Sequence, residues 1–154
     1  MKPLEGIKIL DLTHMLAGPY ASMVLADLGA EVIKIEPLET GEMTRGLLAN
    51  DPNYSFKGFG AYFLTLNRNK KSVSIDLKSS KGLNIFYDLV KNADVVLNNF
   101  SAGVINKLKI DFETLKKINP KLVTCSITGF GETGPHASRP AYDQIVQAYS
   151  GGMS

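Results

Sequence analysis

Apolar residues fall in short blocks along the chain, and the blocks alternate between two spacings. Ile7-Lys8-Ile9-Leu10-Asp11-Leu12 is a compact, partly β-branched run that predicts a buried strand over 7–12. Gly18-Pro19 follows as a turn, with a proline suited to the first helical position. Over 20–28, Val24, Leu25 and Leu28 share one face with Ala21 above them, which predicts a helix ended by Gly29. Val32-Ile33-Lys34-Ile35-Glu36-Pro37 predicts a second strand, closed by proline. Strand, helix and strand joined by short connections imply a right-handed parallel crossover.

Residues 38–62 show no clear period and carry Gly41, Pro52, Gly58, Gly60 and several aromatics. A loop of that length in a compact domain points to function or mobility. Alternation returns at 72–77, predicting a strand. Ser79 or Ser80 then caps a helix whose stripe is Leu83, Phe86, Leu89 and Val90. A strand is predicted at 94–99 and short helices at 104–110 and 112–118, the second capped by Asp111 and stopped before Pro120. The last clear strand spans 122–128. Residues 147–154 read as a helix end running into a glycine turn, a pattern that suits a natural terminus or a chain stopped mid-fold. The fold class is therefore α/β with a largely parallel sheet. Ligands of such sheets bind beyond the carboxyl ends of the strands, so attention falls on 14–19, 37 onward, Lys78, 99–101 and 129 onward.

Composition narrows this picture modestly. The 154 residues suit one domain, and 44% apolar with 21% charged residues are ordinary values for a folded protein. A net charge of +2 gives no argument for nucleic acid, so a basic site has to be local. The single cysteine, Cys125, has no internal disulfide partner; it is expected to be buried mid-strand, and a reducing, cytoplasmic setting is expected. The polar, glycyl start Met1-Lys2-Pro3-Leu4-Glu5-Gly6 is unlike a signal peptide, and no apolar run reaches membrane-spanning length, so no membrane partner is expected.

Candidate chemistry is local. Gly129-Phe130-Gly131-Glu132-Thr133-Gly134 matches G-x-G-x-x-G, but Pro135 and Pro140 interrupt the helix a dinucleotide fingerprint requires. A plain glycine-rich loop is the stronger reading, and no NAD is expected. Arg68, Lys70 and Lys71 could contact an anion, though a solvated polar turn is the plainer account. Tyr142-Asp143 opens a helix, where a carboxylate suits the dipole and could equally line a cleft. His14 sits at the ligand edge without a partner in view, which favours a structural role; His136 is a weaker candidate in a loop. No His, Cys and carboxylate group has metal-ligand spacing, and no G-x-S-x-G elbow is present. The residues alone thus reach an α/β domain binding an anionic small molecule.

A resemblance takes the reading further. Pro3-Leu4-Glu5-Gly6-Ile7-Lys8-Ile9-Leu10-Asp11-Leu12 followed by Ala17-Gly18-Pro19 resembles the opening of the family III CoA-transferases, which include formyl-CoA transferase, carnitine CoA-transferase and α-methylacyl-CoA racemase. The likeness continues through 28–36, Leu66-Asn67-Arg68-Asn69-Lys70-Lys71-Ser72, Asp76-Leu77-Lys78, Ala93-Asp94-Val95-Val96, Asn99-Phe100, the glycine loop and Arg139-Pro140-Ala141-Tyr142-Asp143. It covers essentially the whole chain.

The resemblance implies a Rossmann-like sheet with flanking helices, forming the N-terminal part of a large domain. Residues 1–154 would be an incomplete CoA-binding unit, the small domain and the C-terminal return being absent from this chain, and the full-length protein would form an interlocked homodimer. It implies coenzyme A or acyl-CoA as substrate, with a carboxylic acid as acceptor and no metal. CoA contacts are implied at Leu16, Ala17, Ile75, Asp76, Leu77, Lys78, Asn99, Phe100, Ser101, Lys107, Ala141, Tyr142 and Asp143. Lys78 and Lys107 are the cations among them, and the basic turn is a secondary candidate. The family's nucleophile is an aspartate that forms an acyl anhydride and then a CoA thioester; the resemblance puts it beyond Ser154, with Asp143 as its neighbour in the cleft. A chain ending there would be a non-catalytic CoA-binding fragment. Some positions depart from the pattern. Pro37 replaces a CoA-contacting arginine, Ser101-Ala102 an Arg-Pro pair, and Leu16 a glutamine near a formyl group. Tyr142 replaces the basic histidine of the racemase branch, which favours transferase over racemase.

Overall fold

The computed structural model describes residues 1–153. In chain order it contains β1 (Lys8–Asp11), α1 (Ala17–Asp27), β2 (Glu31–Glu36), a 3-10 turn at Met43–Arg45, β3 (Ser55–Phe56), β4 (Phe59–Gly60), α2 (Ala61–Leu66) and β5 (Lys70–Ser74). There follow α3 (Ser80–Val90), β6 (Val95–Asn98), α4 (Val104–Lys107), α5 (Phe112–Ile118), β7 (Val123–Ser126) and α6 (Asp143–Tyr149). Five strands form one sheet in the order β5-β2-β1-β6-β7, and every neighbouring pair is parallel. The winding direction reverses between β1 and β6, which opens a crevice beyond their carboxyl ends.

Alternation along β1 splits the core. Leu10 and Leu12 join Val96, Ile35 and Ile75 under Phe86 and Val90 of α3 and Leu115 of α5. Ile9, Val32 and Leu97 face the other way, against Ala26 of α1 and Ala30. Burial on both faces explains why the central strands read as apolar runs. The helix caps follow the sequence. Ser79 accepts the Gly82 N–H at 3.0 Å, and Asp111 accepts the Thr114 N–H at 3.1 Å.

Several expectations need correction. Helix α1 begins at Ala17, so Pro19 is its third residue. First-turn N–H groups have no intrahelical partner, so proline is tolerated there. The buried face of α1 is Gly18, Pro19, Ser22, Met23 and Ala26, whereas Val24 and Leu28 are exposed. The small residues let the helix approach β1 closely: a Cβ on Gly18 would lie 2.3 Å from that of Thr13. Helix α4 stops at Lys107, short of the predicted 110, as Lys109 turns left-handed at φ 58°. Part of the 38–62 loop is ordered as the β3–β4 hairpin. Cys125 is exposed rather than buried, because it shares with Val123 the open face of an edge strand.

Candidate functional site

The crevice between β1 and β6 is built from two short segments that hold each other. Asn99 accepts the His14 N–H through Oδ1 at 2.8 Å and donates from Nδ2 to the His14 carbonyl at 2.8 Å. The His14 ring lies 5.4 Å from that of Phe100, centroid to centroid. Burial of the imidazole, and then the Lys34 charge, push its pKa below the usual value. Both effects favour the neutral imidazole, while the His14 backbone is tied to Asn99. Leu16 follows as the exposed N-cap of α1, with Ala17 its first helical residue.

The remaining sequence-selected residues lie along the same carboxyl edge. Ile75 belongs to the core, so its side chain is unavailable to a ligand. The Asp76 carboxylate accepts the Lys78 N–H at 2.9 Å, and the Asp76 carbonyl accepts from Ser79 N–H at 3.2 Å. This turn brings Lys78 to the edge just before α3. Lys107 ends α4, which Ser101-Ala102 and the left-handed Gly103 precede. Neither Lys78 nor Lys107 forms an ion pair among the described residues. Tyr142 is the exposed N-cap of α6, Asp143 its first residue, and Asp143 accepts from Gln147. A Cβ on Gly129 would lie 1.8 Å from that of Ala141, so glycine three residues beyond β7 lets Ala141 pass close. Leu16-Ala17 and Asn99-Phe100 are thus brought together, while β2 and β1 stand between the end of β5, near Lys78, and the end of β6.

Sequence reasoning missed a buried polar network beneath the crevice. Asp11 is fully buried and accepts from Ser22 Oγ at 2.6 Å and Lys70 Nζ at 3.1 Å; Lys34 Nζ stands 3.9 Å away and donates to the Thr13 carbonyl at 2.7 Å. Burial would raise the Asp11 pKa, but Lys34 and Lys70 outweigh it and hold the carboxyl below its usual range. Burial pushes the Lys70 ammonium down to about 8. Next to this triad, Glu36 binds Arg45 through both carboxylate oxygens at 2.6 Å and accepts the Glu42 N–H at 2.8 Å. Against its own burial, Arg45 and Ser72 hold the Glu36 pKa at about 2. The available signal was three charges, Asp11, Lys34 and Glu36, inside strands expected to be buried.

The basic cluster at 68–71 runs into β5 and is paired: Lys70 with the buried Asp11, and at the surface Arg68 with Asp27 at 2.5 Å and Lys71 with Glu31 at 2.6 Å. In the glycine loop no helix opens within 129–134, and α6 begins only at Asp143.

The model of CoA-transferase family III matches residues 4–154. The chain belongs to CoA-transferase family III. It is 45% identical over 153 residues to the succinyl-CoA:glutarate CoA-transferase of Mus musculus, a match covering 99% of this chain and 34% of that one. It is also 45% identical to the acetyl-CoA:oxalate CoA-transferase of Acetobacter aceti, covering 98% of this chain and 38% of that one. A crystal structure of a CAIB/BAIF family protein from Brucella suis superposes with a TM-score of 0.89 at 44% identity, over 97% of this chain and 39% of that one. The chain thus spans a little over a third of the length of these relatives. Pro37 directly after β2, Leu16 at the α1 cap and Ser101 before α4 are all exposed.

Proposed function

We propose that this chain forms the CoA-binding N-terminal part of an acyl-CoA:carboxylate CoA-transferase. The observation that carries the reading is the cross-pinned crevice at the switch point, with Leu16-Ala17 and Asn99-Phe100 at its mouth, in a chain of family III. Lys78 and Lys107, the cations on the turn before α3 and at the end of α4, serve the CoA phosphates as point charges. The backbone of 75–78 and residues 99–101 line the path of the ligand, and Ala141, Tyr142 and Asp143 flank its acyl end. A cytoplasmic setting and an interlocked homodimer are part of the same reading.

The reaction proceeds through a nucleophilic aspartate beyond Ser154. Its carboxylate attacks the thioester carbonyl, forming a mixed anhydride and releasing CoA thiolate. The thiolate attacks the aspartyl carbonyl, giving an aspartyl-CoA thioester and the free donor acid. The acceptor carboxylate then takes the aspartyl carbonyl and expels thiolate, which attacks the new acyl carbonyl to give the product thioester and restore the aspartate. A carboxylate is a weak nucleophile, so the scheme depends on positioning and on stabilising the oxyanion. The complete polypeptide is expected to exchange CoA between an acyl-CoA and a dicarboxylate, followed by mass spectrometry, while residues 1–154 alone give no turnover. Enzymatic exchange by the 154-residue chain would overturn the placement of the nucleophile. Epimerisation of a 2-methylacyl-CoA without exchange would favour the racemase branch.

A further inference from the structure

The turn that carries Leu16 and Ala17 is held in an unfavourable conformation. Met15 adopts φ 65°, the left-handed region that a long side chain rarely enters. Three side chains from different parts of the chain fix its neighbourhood. Lys34 binds the Thr13 carbonyl at 2.7 Å, Asn99 clamps His14 from both sides, and Glu42 Oε1 accepts the Met15 N–H at 2.9 Å. Glu42 is the contribution of the 38–62 loop, and it is buried to 1% exposure. Its other oxygen accepts the Thr44 N–H at 3.2 Å and also the Thr44 hydroxyl. Its own N–H donates to Glu36, which Arg45 grips. A continuous set of bonds therefore runs from Arg45 through Glu36 and Glu42 to Met15.

We infer that Glu42 is a positioning residue for the CoA site: through the Met15 N–H it holds the β1–α1 turn in its left-handed form and couples the 38–62 loop to the ligand crevice. This rests on the proposed transferase function. Glu42 touches no ligand itself and acts through the backbone of residues 15–17. The bond is made by an acceptor oxygen, so glutamine preserves it and alanine does not. Thr44 shares the carboxylate without touching Met15, so it reports what loss of local structure alone does.

The test uses the complete polypeptide, with steady-state kinetics against acyl-CoA and direct titration with CoA. Glu42→Ala is expected to raise KM and the CoA dissociation constant roughly tenfold, the equivalent of about 1.4 kcal/mol. Glu42→Gln is expected to recover most of that loss, and Thr44→Ala to leave KM near the wild-type value even where it lowers the melting temperature. A Glu42→Ala protein with reduced kcat but unchanged KM and CoA affinity would show a merely structural role and overturn the inference, as would equal KM effects from Thr44→Ala. Failure of the wild-type protein to bind CoA would overturn the transferase reading and this inference with it. Normal wild-type binding with no Glu42 effect would overturn the inference alone.

Discussion

Asp11→Ala is expected to lower the unfolding free energy by about 3–5 kcal/mol, the cost of stranding buried charges whose partner has been removed. Lys34 and Lys70 both lean on this one carboxylate, and neither ammonium has another carboxylate within ion-pair range among the described residues. A loss of that size is a large share of the stability of an ordinary domain. The pH dependence identifies the cause. Lys70 already sits at about 8, and without Asp11 it loses the charge that favours its protonated form. The unfolded state then holds more protons from below pH 8 up to the ordinary lysine range, so the variant should gain stability with rising pH over a wider window than the wild type, which gains only from about 8 upward. Urea unfolding at several pH values measures both effects. A change under about 1 kcal/mol, the scale of a surface ion pair, would contradict the buried-triad account.

Acid should act through Glu36. Its folded pKa is about 2, well below the unfolded value of 4.5. A depressed carboxylate contributes its full stabilisation above the unfolded value and loses it as pH falls through the folded one. The window is therefore about pH 4.5 down to 2, and the contribution lost across it is roughly 3 kcal/mol. Glu36→Gln removes the titrating group, so the variant should be less stable at pH 7 and its stability should fall less steeply in that window. Parallel profiles for wild type and variant would exclude Glu36 as the acid-sensitive group.

The element order was legible because periodicity and caps act locally. Ser79 and Asp111 cap the helices the sequence assigned to them, and the apolar runs 7–12 and 94–99 became two of the three inner strands, buried on both faces. The buried side of α1 was not legible. Gly18 and Ser22 face the sheet for close approach and for a bond to Asp11, and neither reason is a hydrophobic one. Cys125 misled for a related reason: a strand's sequence does not state whether it lies at the edge of the sheet. The candidate segments 14–19, Lys78 and 99–101 were selected by the rule that ligands bind beyond strand carboxyl ends, and they do follow the ends of strands. Their mutual bonds, such as His14 with Asn99, join residues 85 apart in sequence and have no local signature. Lys70 was drawn into the core by Asp11, a partner that only the parallel pairing of β1, β2 and β5 brings near.

The central claim is that this carboxyl edge is a CoA site. Titrating CoA into the purified protein while following its thermal unfolding tests it most directly, because a ligand that binds the folded form alone stabilises it by about 2.7 kcal/mol at a hundredfold excess over Kd. The account predicts a saturable stabilisation by CoA, weakened in the Lys78→Ala, Lys107→Ala double variant and not reproduced by NAD. The absence of any shift at saturating CoA, or an equal shift with NAD, would contradict it.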